Sequence, residues 1–322
     1  MRSRIKLWSI GGGKGGIGKS ICSLGLGICL ARLKKKVIMI DADLGGANLH
    51  TLMGIRYPQV TLDHFLQKKT PRLEDTILET PIEGIGLICG SDDVLGAANP
   101  TYAQKLRILK EIEALPADFV LLDLGAGTSF NLLDFFNYSP GKIVLFTSQA
   151  TSLQNAYGFI KSALYRKLAR EFTKDDEVLG LLYQIGSVNS EIGSISQLLA
   201  VFKETDPGRY ERLSGALWDF RLFLAVNMAK SPQDLRSPEI IQTVCADYLG
   251  IQPEILGEVP YDPLVETAVN QMTPFPVLQK SGKAAQALHQ IALKVLRLSR
   301  LPKSPWEAEN TSGEEVSLAA LN

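Results

Sequence analysis

Short runs of apolar residues alternate with longer stretches of helical period along this chain. Nearly continuous hydrophobic runs are typical of strands in a parallel sheet whose two faces are both covered. They predict strands at 5–10, 36–41, 85–89, 118–123, 142–147, 220–227 and 255–259. The helical periods predict helices at 18–33, 101–114, 151–170, 233–249 and 283–298. The sequence therefore predicts an α/β fold, with a mostly parallel twisted sheet flanked by helices on both faces.

The segment from about 168 to 219 is too long for this regular alternation, because a simple helix-to-strand connection takes about 2–6 residues. Its pattern allows a strand at 177–185 and favours helices near 194–204 and 207–218. We therefore predict a mainly helical insert, which either covers an exposed edge of the sheet or provides a docking surface for a partner. Residues 1–301 should form a single domain, followed by a polar tail at 302–322 that we expect to be disordered.

Residues 13–20 read Gly-Lys-Gly-Gly-Ile-Gly-Lys-Ser and match the P-loop pattern G-x-x-x-x-G-K-[ST]. The predicted strand before them and the predicted helix after them supply the context that this pattern requires. Glycines let backbone N–H groups approach a phosphate, and the helix adds the positive end of its dipole. Lys19 is placed to reach the β- and γ-phosphates, and the Ser20 hydroxyl to hold Mg²⁺. We expect the nucleotide to contact Gly13, Gly15, Gly16, Ile17, Gly18, Lys19, Ser20 and Ile21.

Two other predicted strands end in carboxylates, one at Asp41 and one at Asp123. Ligands of open α/β sheets bind beyond the carboxyl ends of the strands. A carboxylate that follows an apolar strand in a P-loop protein commonly lies close to Mg²⁺. The sequence therefore predicts a magnesium site formed by Asp123 and the phosphate-binding loop.

A second lysine, Lys14, stands inside the loop, although phosphate binding requires only Lys19. The loop and the segment at 41–48, Asp-Ala-Asp-Leu-Gly-Gly-Ala-Asn, resemble the MinD/ParA family of ATPases, which share a deviant P-loop. The resemblance implies ATP and Mg²⁺ as cofactors and an ATP-dependent homodimer in which Lys14 contacts the partner's nucleotide. It also implies that Asp43 orients the attacking water, so the catalytic residues are Lys14, Lys19 and Asp43. The metal-site residues are Ser20, Asp123 and, through a water molecule, Asp41.

Weaker matches follow in the order that the family shows. Gly127 corresponds to the glycine that senses the γ-phosphate, although 123–127 read Asp-Leu-Gly-Ala-Gly where relatives usually have Asp-Ser/Thr-Pro-Ala-Gly. Asn227 corresponds to a base-reading asparagine. An amide can pair with adenine because it offers both a donor and an acceptor. Pro260 and Asp262 correspond to a segment that flanks the base.

The composition argues against several other classes of protein. Lys and Arg total 34 and balance 34 Asp and Glu, so no overall basic field attracts nucleic acid. No apolar run reaches the roughly 18 residues that a membrane helix needs. None of the four cysteines forms C-x-x-C, which argues against an iron–sulfur role. We expect a cytoplasmic protein, either free or peripheral to a membrane or a cell pole.

The resemblance implies a slow, partner-stimulated ATPase switch that positions or regulates a flagellum, division site, chromosome or other cargo. The FlhG-like branch is the closest in its motifs, and a protein partner or cargo adaptor is expected. Membrane binding through 296–301 has weak support because this run is short and ends at Pro302. DNA binding has similarly weak support from Lys294, Arg297, Arg300 and Lys303. Two alternatives remain open: a nucleotide-gated scaffold with little hydrolysis, and an ATP-dependent biosynthetic ligase of the same superfamily.

Overall fold

The computed structural model describes residues 6–43, 46–90, 100–185, 192–274 and 282–300. Within these residues, eight strands form one sheet. In chain order the strands are β1 (Lys6–Gly11), β2 (Val37–Asp41), β3 (Leu78–Glu79), β4 (Ile85–Ile88), β5 (Phe119–Asp123), β6 (Gly141–Phe146), β7 (Phe223–Ala229) and β8 (Glu254–Pro260). Their order in the sheet is β3-β4-β2-β5-β1-β6-β7-β8.

Neighbouring strands are parallel except for β3, which pairs antiparallel with β4 at one edge. β5 lies between β1 and β2, and its last residue, Asp123, is in register with Ile10 on one side and Asp41 on the other. Strand ends that are far apart in the sequence therefore meet at one edge of the sheet, where ligands of such folds bind.

Helices connect the strands and cover both faces of the sheet. They are α1 (Lys19–Arg32), α2 (Leu49–Leu52), α3 (Leu62–Leu66), α4 (Tyr102–Ile112), α5 (Phe130–Tyr138), α6 (Ala150–Glu171), α7 (Asp176–Gln184), α8 (Ile195–Thr205), α9 (Pro207–Trp218), α10 (Ser237–Val244), α11 (Pro263–Asn270) and α12 (Lys283–Leu298). Short 3-10 turns lie at Leu73–Thr76 and Pro232–Arg236, and a π-helical turn at Cys245–Leu249 follows α10.

Alternate residues of the strands build two separate hydrophobic cores, as the two-residue period of a strand requires. Phe119 and Leu121 belong to the core that contains α1 and α12. Val120 and Leu122 belong to the core that contains α4, α5 and α6. The predicted α/β fold, with a mostly parallel sheet covered on both faces, is confirmed.

The insert at about 168–219 is mainly helical, as predicted, but the suggested strand at 177–185 is wrong. Residues 176–184 form α7, because the Asp175 side chain accepts a hydrogen bond from the Val178 amide and caps the helix. Val178 and Leu182, one helical turn apart, are then both buried. The predicted helices near 194–204 and 207–218 agree with α8 and α9.

Several short elements carry too weak a periodic signal to be recognised in the sequence. These are α2, α3, α5, α11 and the two-residue strand β3. The predicted helix at 233–249 is divided into a 3-10 turn, α10 and a π-helical turn. The predicted tail at 302–322, which includes Lys303, lies outside the described residues.

The described part of the run at 296–301, the one considered for membrane binding, continues a helix whose apolar face packs on the protein. Leu288, Ile291 and Val295 are buried in the core with α1, and Leu296 and Leu298 pack against the same core. Within the described ranges, no helix combines the length and apolar character needed to cross a bilayer. This packing weakens the case for membrane binding through 296–301.

Candidate nucleotide site

The phosphate-binding loop joins the end of β1 to the start of α1. Gly16 and Gly18 have φ angles of +75° and +82°, a left-handed conformation that favours glycine. A Cβ atom on Gly13 would lie 2.2 Å from the carbonyl oxygen of Asn155, so the loop packs directly on α6. The predicted strand, glycine-rich loop and helix are therefore present, and each of these glycines is needed for backbone shape or space.

Lys19 is buried at the first position of α1. Its Nζ donates a hydrogen bond to the carbonyl oxygen of Lys14 at 3.1 Å. Burial lowers the pKa of Lys19, and the charges of Asp123 and Asp43 oppose this change. A buried ammonium group at the loop can donate strong hydrogen bonds to a phosphate, and the nearby carboxylates partly compensate its charge.

Asp123 is buried at the end of β5, beside Asp41 in the register of the sheet. Burial, and then the charge of Asp41, raises the pKa of Asp123 to about 7, while hydroxyl donors from Ser20 and Ser23 oppose the rise. Ser23 Oγ donates to Asp123 Oδ1 at 2.8 Å. A divalent cation beside Ser20 and Asp123 would relieve this repulsion, so the two residues fit a magnesium site.

Asp41 organises the loop that follows β2. Its Oδ2 accepts hydrogen bonds from the amides of Asn48 and Leu49 at 2.9 and 3.0 Å, and its Oδ1 accepts one from the Asp43 amide at 3.2 Å. Burial raises the pKa of Asp41 to about 6, although these three N–H donors favour the charged form. Asp41 therefore has a structural role here, and its expected water-mediated contact with Mg²⁺ stays a prediction.

The two polar loops beside the phosphate site carry Asp43 and Gly127. Asp43 is half-buried, and its charge partly opposes the lowering of the Lys19 pKa by burial. Gly127 has a φ of +98° with no heavy atom within 4 Å of a Cβ built there, so it needs glycine for conformation. Lys14 is exposed to solvent on the same loop as Lys19.

A cavity of about 280 Å³ lies beside the phosphate-binding loop. Mostly apolar side chains surround it, as is typical of a site for a planar base. It brings together Asn227, Pro260 and Asp262, the three residues that the sequence associates with the base. The lining also includes Ile21, Met228, Tyr261, Val265 and Val269.

Asn227 connects this cavity to the phosphate-binding loop. It is buried near the end of β7, and its Nδ2 donates to the carbonyl oxygen of Ile17 at 2.8 Å. The pairing of β7 and β8 is irregular between Asn227 and Ala229, and Met228 has a φ of +58°. Such a bulge redirects a side chain out of the regular strand pattern.

The Asp262 carboxylate is bonded to two backbone amides, which gives it a structural role besides any contact with a base. Its Oδ1 accepts from the Leu264 amide at 3.1 Å and caps α11, and its Oδ2 accepts from the Ala284 amide at 3.4 Å. The carboxylate therefore joins two helices at the wall of the cavity. Its expected contact with the base stays a prediction.

Sequence reasoning missed Ser23, although one signal was present. It is a polar residue within the apolar stretch of α1, three positions after Ser20 and therefore on a neighbouring part of the helix surface. Asn48 lies at the N-cap position of α2, but its side chain makes no capping bond. The Asp41 carboxylate instead accepts hydrogen bonds from the amides of Asn48 and Leu49.

In the ranges that the structure describes, no three His, Cys, Asp or Glu residues are grouped so that they could hold a metal ion. A magnesium ion that binds with phosphate needs few protein ligands, so Ser20 and Asp123 are sufficient. The four cysteines are buried. Burial raises the pKa of Cys22 to about 12, which makes this thiol a packing group.

A glycine-rich loop that cradles anions, followed by a helix and flanked by buried carboxylates, defines a P-loop nucleotide-binding protein. The family model described as the CobQ/CobB/MinD/ParA nucleotide binding domain matches residues 8–275. The chain belongs to this family. The resemblance to MinD/ParA proteins that the loop and its second lysine indicate is thereby confirmed.

Individual proteins extend this similarity over most of the chain. An uncharacterized ATP-binding protein of Methanocaldococcus jannaschii is 26% identical over 289 residues, which cover 89% of this chain and 86% of that protein. The antiactivator FleN of Pseudomonas aeruginosa is 24% identical over 294 residues, with coverages of 90% and 86%. The septum site-determining protein MinD of Pyrococcus horikoshii, solved with Mg-ADP, shares the fold with a TM-score of 0.64 at 20% identity, with coverages of 94% and 99%.

Proposed function

We propose that this protein is an ATPase switch that binds Mg-ATP at the candidate site, hydrolyses it slowly and changes its assembly state with the nucleotide. The observation that carries the proposal is the meeting of buried Lys19, Asp123 and Asp41 at the phosphate-binding loop. The two carboxylates have raised pKa values, so this charge arrangement is completed best by a metal-bound polyphosphate.

The cavity beside Asn227 supports adenine as the base. Because its Nδ2 is held by the Ile17 carbonyl, the amide has its oxygen left to accept a hydrogen bond. The amino group of adenine is a donor at the matching position, whereas guanine carries an oxygen there. Adenine is therefore the base that this amide accommodates without two acceptors facing each other.

Mg²⁺, when bound, neutralises phosphate charge and draws electron density from the transferred phosphoryl group. Ser20 and Asp123 would hold it, and Lys19 would contact the β- and γ-phosphates. Asp43, next to Lys19 at the open edge of the site, would orient the attacking water. These roles agree with the electrostatic influence of both Asp43 and Asp123 on Lys19.

Lys14 supports a dimeric working state. Its side chain is exposed while its carbonyl oxygen is bound by Lys19, so the charged end is available to a second copy. A cation supplied from outside a phosphate site can accelerate phosphoryl transfer by about 10³–10⁵. ATP would therefore close two copies of the chain face to face.

The roles of two relatives favour regulation or positioning of a cellular assembly: antiactivation for FleN and septum site determination for MinD. We propose a cytoplasmic location and a protein partner that senses the ATP-bound dimer. Hydrolysis would then reset this interaction.

Phosphate release and light scattering with Mg-ATP test this function. Wild-type protein should dimerise and release phosphate. Asp43→Ala should bind ATP and dimerise, but hydrolysis should fall by about 100-fold or more because the water is no longer oriented. Asp247→Ala, which removes an exposed carboxylate from the π-helical turn, is the matched control and should hydrolyse normally.

Two results would contradict parts of the proposal. Hydrolysis by Asp43→Ala at the wild-type rate would remove Asp43 from the mechanism. ATP-dependent dimerisation of the wild type without phosphate release would instead favour the nucleotide-gated scaffold.

A further inference from the structure

The backbones of Asp43 and Gly125 leave the sheet side by side. The Ala42 amide donates to the Asp123 carbonyl oxygen at 2.9 Å, and the Leu124 amide donates to the Ile10 carbonyl oxygen at 3.0 Å. These bonds extend the pairing of the sheet through Ala42 and Leu124, the residues just before Asp43 and Gly125. The first residues beyond the pairing therefore lie at neighbouring positions over the phosphate site.

The Asp43 carboxylate lies close to the position that a side chain on Gly125 would occupy. A Cβ atom built on Gly125 would be 2.8 Å from Asp43 Oδ1, 2.9 Å from Cγ and 3.1 Å from Oδ2, and these are its three nearest heavy atoms. Real Cβ atoms do not approach carboxylate atoms this closely. Gly125 is not among the residues with positive φ, so glycine is needed here for space and not for backbone conformation.

A second glycine, Gly46, is also close to the same carboxylate but leaves room. A Cβ atom on Gly46 would be 3.5 Å from Asp43 Oδ2, an ordinary van der Waals contact. The Gly46 amide also bonds to the Asp43 carbonyl oxygen at 3.4 Å. Both glycines are therefore near the carboxylate, but of the two only Gly125 lies too close to it to carry a methyl group without a shift.

We infer that Gly125 is a positioning residue for Asp43: its missing side chain lets the carboxylate lie over the phosphate site, where it faces Lys19. The inference rests on the proposed function, in which Asp43 orients the attacking water. A methyl group at 125 meets the end of one short side chain first, so Asp43 must rotate away while the phosphate-binding loop and the base cavity keep their shape.

Gly125→Ala tests this role through a split between kcat and KM. We expect kcat to fall by about 10- to 100-fold, because a shift of about 1 Å in the carboxylate that orients the attacking water has effects of this size. The KM for Mg-ATP should change less than about twofold, because the phosphate-binding loop and the base cavity that hold the nucleotide are unchanged. Gly158→Ala is the matched control, because a Cβ on Gly158 of α6 has no heavy atom within 4 Å, and it should behave as the wild type.

The double variant Asp43→Ala/Gly125→Ala separates positioning from general damage. If Gly125 acts through Asp43, the added alanine should cause no further loss of kcat in the Asp43→Ala background. Any loss of melting temperature in Gly125→Ala should also be relieved there, because the clashing carboxylate is gone. Equal losses in both backgrounds would overturn the inference.

Carbon-13 NMR of the aspartate carboxyl groups, without nucleotide, completes the test. The Asp43 resonance is identified by its absence in Asp43→Ala, and it should move in Gly125→Ala but not in Gly158→Ala. An unmoved resonance would overturn the inference even in an active enzyme. If the wild type shows no ATP hydrolysis, the proposed function fails, while a shifted resonance would still establish that Gly125 sets the Asp43 position.

Discussion

Two buried aspartates of this protein have opposite electrostatic surroundings. Asp123 and Asp134 are 2% and 3% exposed. Burial and the charge of Asp41 raise the pKa of Asp123 to about 7. Burial acts in the same direction on Asp134, but hydrogen bonds from Arg166 and Lys105 and the charge of Arg170 lower its pKa overall.

The partners of Asp134 come from two helices, α4 and α6, and leave it fully compensated. Lys105 Nζ on α4 lies 2.6 Å from Oδ2, Arg166 Nε on α6 lies 2.9 Å from Oδ1, and Arg170 Nη2 lies 2.8 Å from Oδ2. Arg166 also lies over the Phe130 ring, 4.5 Å from its centroid. Asp134 thus joins α4, α5 and α6 and has no need of a ligand.

The comparison distinguishes a structural carboxylate from one that belongs to a binding site. Lysine and arginine side chains of the protein neutralise the charge of Asp134, so removal of this carboxylate leaves those cations without their partner. Charge at Asp123 is opposed by a second carboxylate and only partly relieved by hydroxyl groups and Lys19. Residues whose pKa is disturbed in this way mark functional sites, because a bound cation supplies what the protein lacks.

The largest effect should follow from breaking the compensated site. Asp134→Asn should lower the free energy of unfolding by about 3–5 kcal/mol, because three cations lose a buried partner. Urea denaturation measures this loss. Asp219→Asn is the matched control: Asp219 is mostly exposed and pairs with Lys167 at 2.8 Å, so its loss should be within about 1 kcal/mol. Equal effects of the two changes would show that the Asp134 cluster is no more than a surface ion pair.

A second test removes the cation at the nucleotide edge. Lys19→Ala should weaken ATP binding by at least about 30-fold, the lower end of the ~2–5 kcal/mol that follows loss of one partner of a buried charge pair. Isothermal titration calorimetry measures the affinity. Lys14→Ala is a useful control because Lys19 bonds to the Lys14 carbonyl oxygen, which alanine keeps. It should bind ATP normally but lose ATP-dependent dimerisation and turnover; near-normal affinity in Lys19→Ala would contradict the phosphate-site assignment.

The effect that is smallest per step of the measurement concerns pH. The folded state of the nucleotide-free protein holds a proton on Asp123 up to about pH 7, whereas the unfolded chain releases it near the ordinary value of about 3.9. The folded state therefore binds more protons in this window, and the free energy of unfolding should fall as pH rises from about 4 to about 7. The slope from this group is at most about 1.4 kcal/mol per pH unit.

Asp123→Asn should reduce this slope by the contribution of Asp123, while Asp41, whose pKa is raised to about 6, keeps its own contribution at lower pH. Denaturation at several pH values measures the slope. Because Asn carries no charge, the variant should be as stable as the wild type, or more so, at pH 7 and above. Asp134→Asn should leave the slope in this window in place. A wild-type slope in Asp123→Asn would mean that Asp123 is charged throughout and that the contrast between the two aspartates is wrong.

The sequence alone predicts the phosphate-binding loop well because its chemistry uses the backbone of consecutive residues, 13–20. It also predicts the major strands, since burial on both faces requires continuous apolar runs. It fails at 177–185, where the apolar residues permit either strand or helix. The side-chain cap from Asp175 and the burial of one face of α7 select the helix.

Which side chains meet at the site depends on the order of the strands. Asp41 and Asp123 each end a recognisable strand, but they are neighbours only because β5 lies between β1 and β2. The resemblance predicts that Asn227 contacts the base. Its hydrogen bond to Ile17, however, requires β7 to end beside the phosphate-binding loop. The contact of Asp43 with Gly125 likewise joins loops that follow two different strands.

The amino-acid sequence by itself therefore determined the class of this protein, through a loop, a helix and strands whose geometry depends on near neighbours. The tertiary structure decided the electrostatic state of each buried carboxylate and the space around Asp43. The physical reason is that loop conformation is set by local steric limits on the backbone. A pKa or a close contact instead depends on charges and atoms that distant segments bring together.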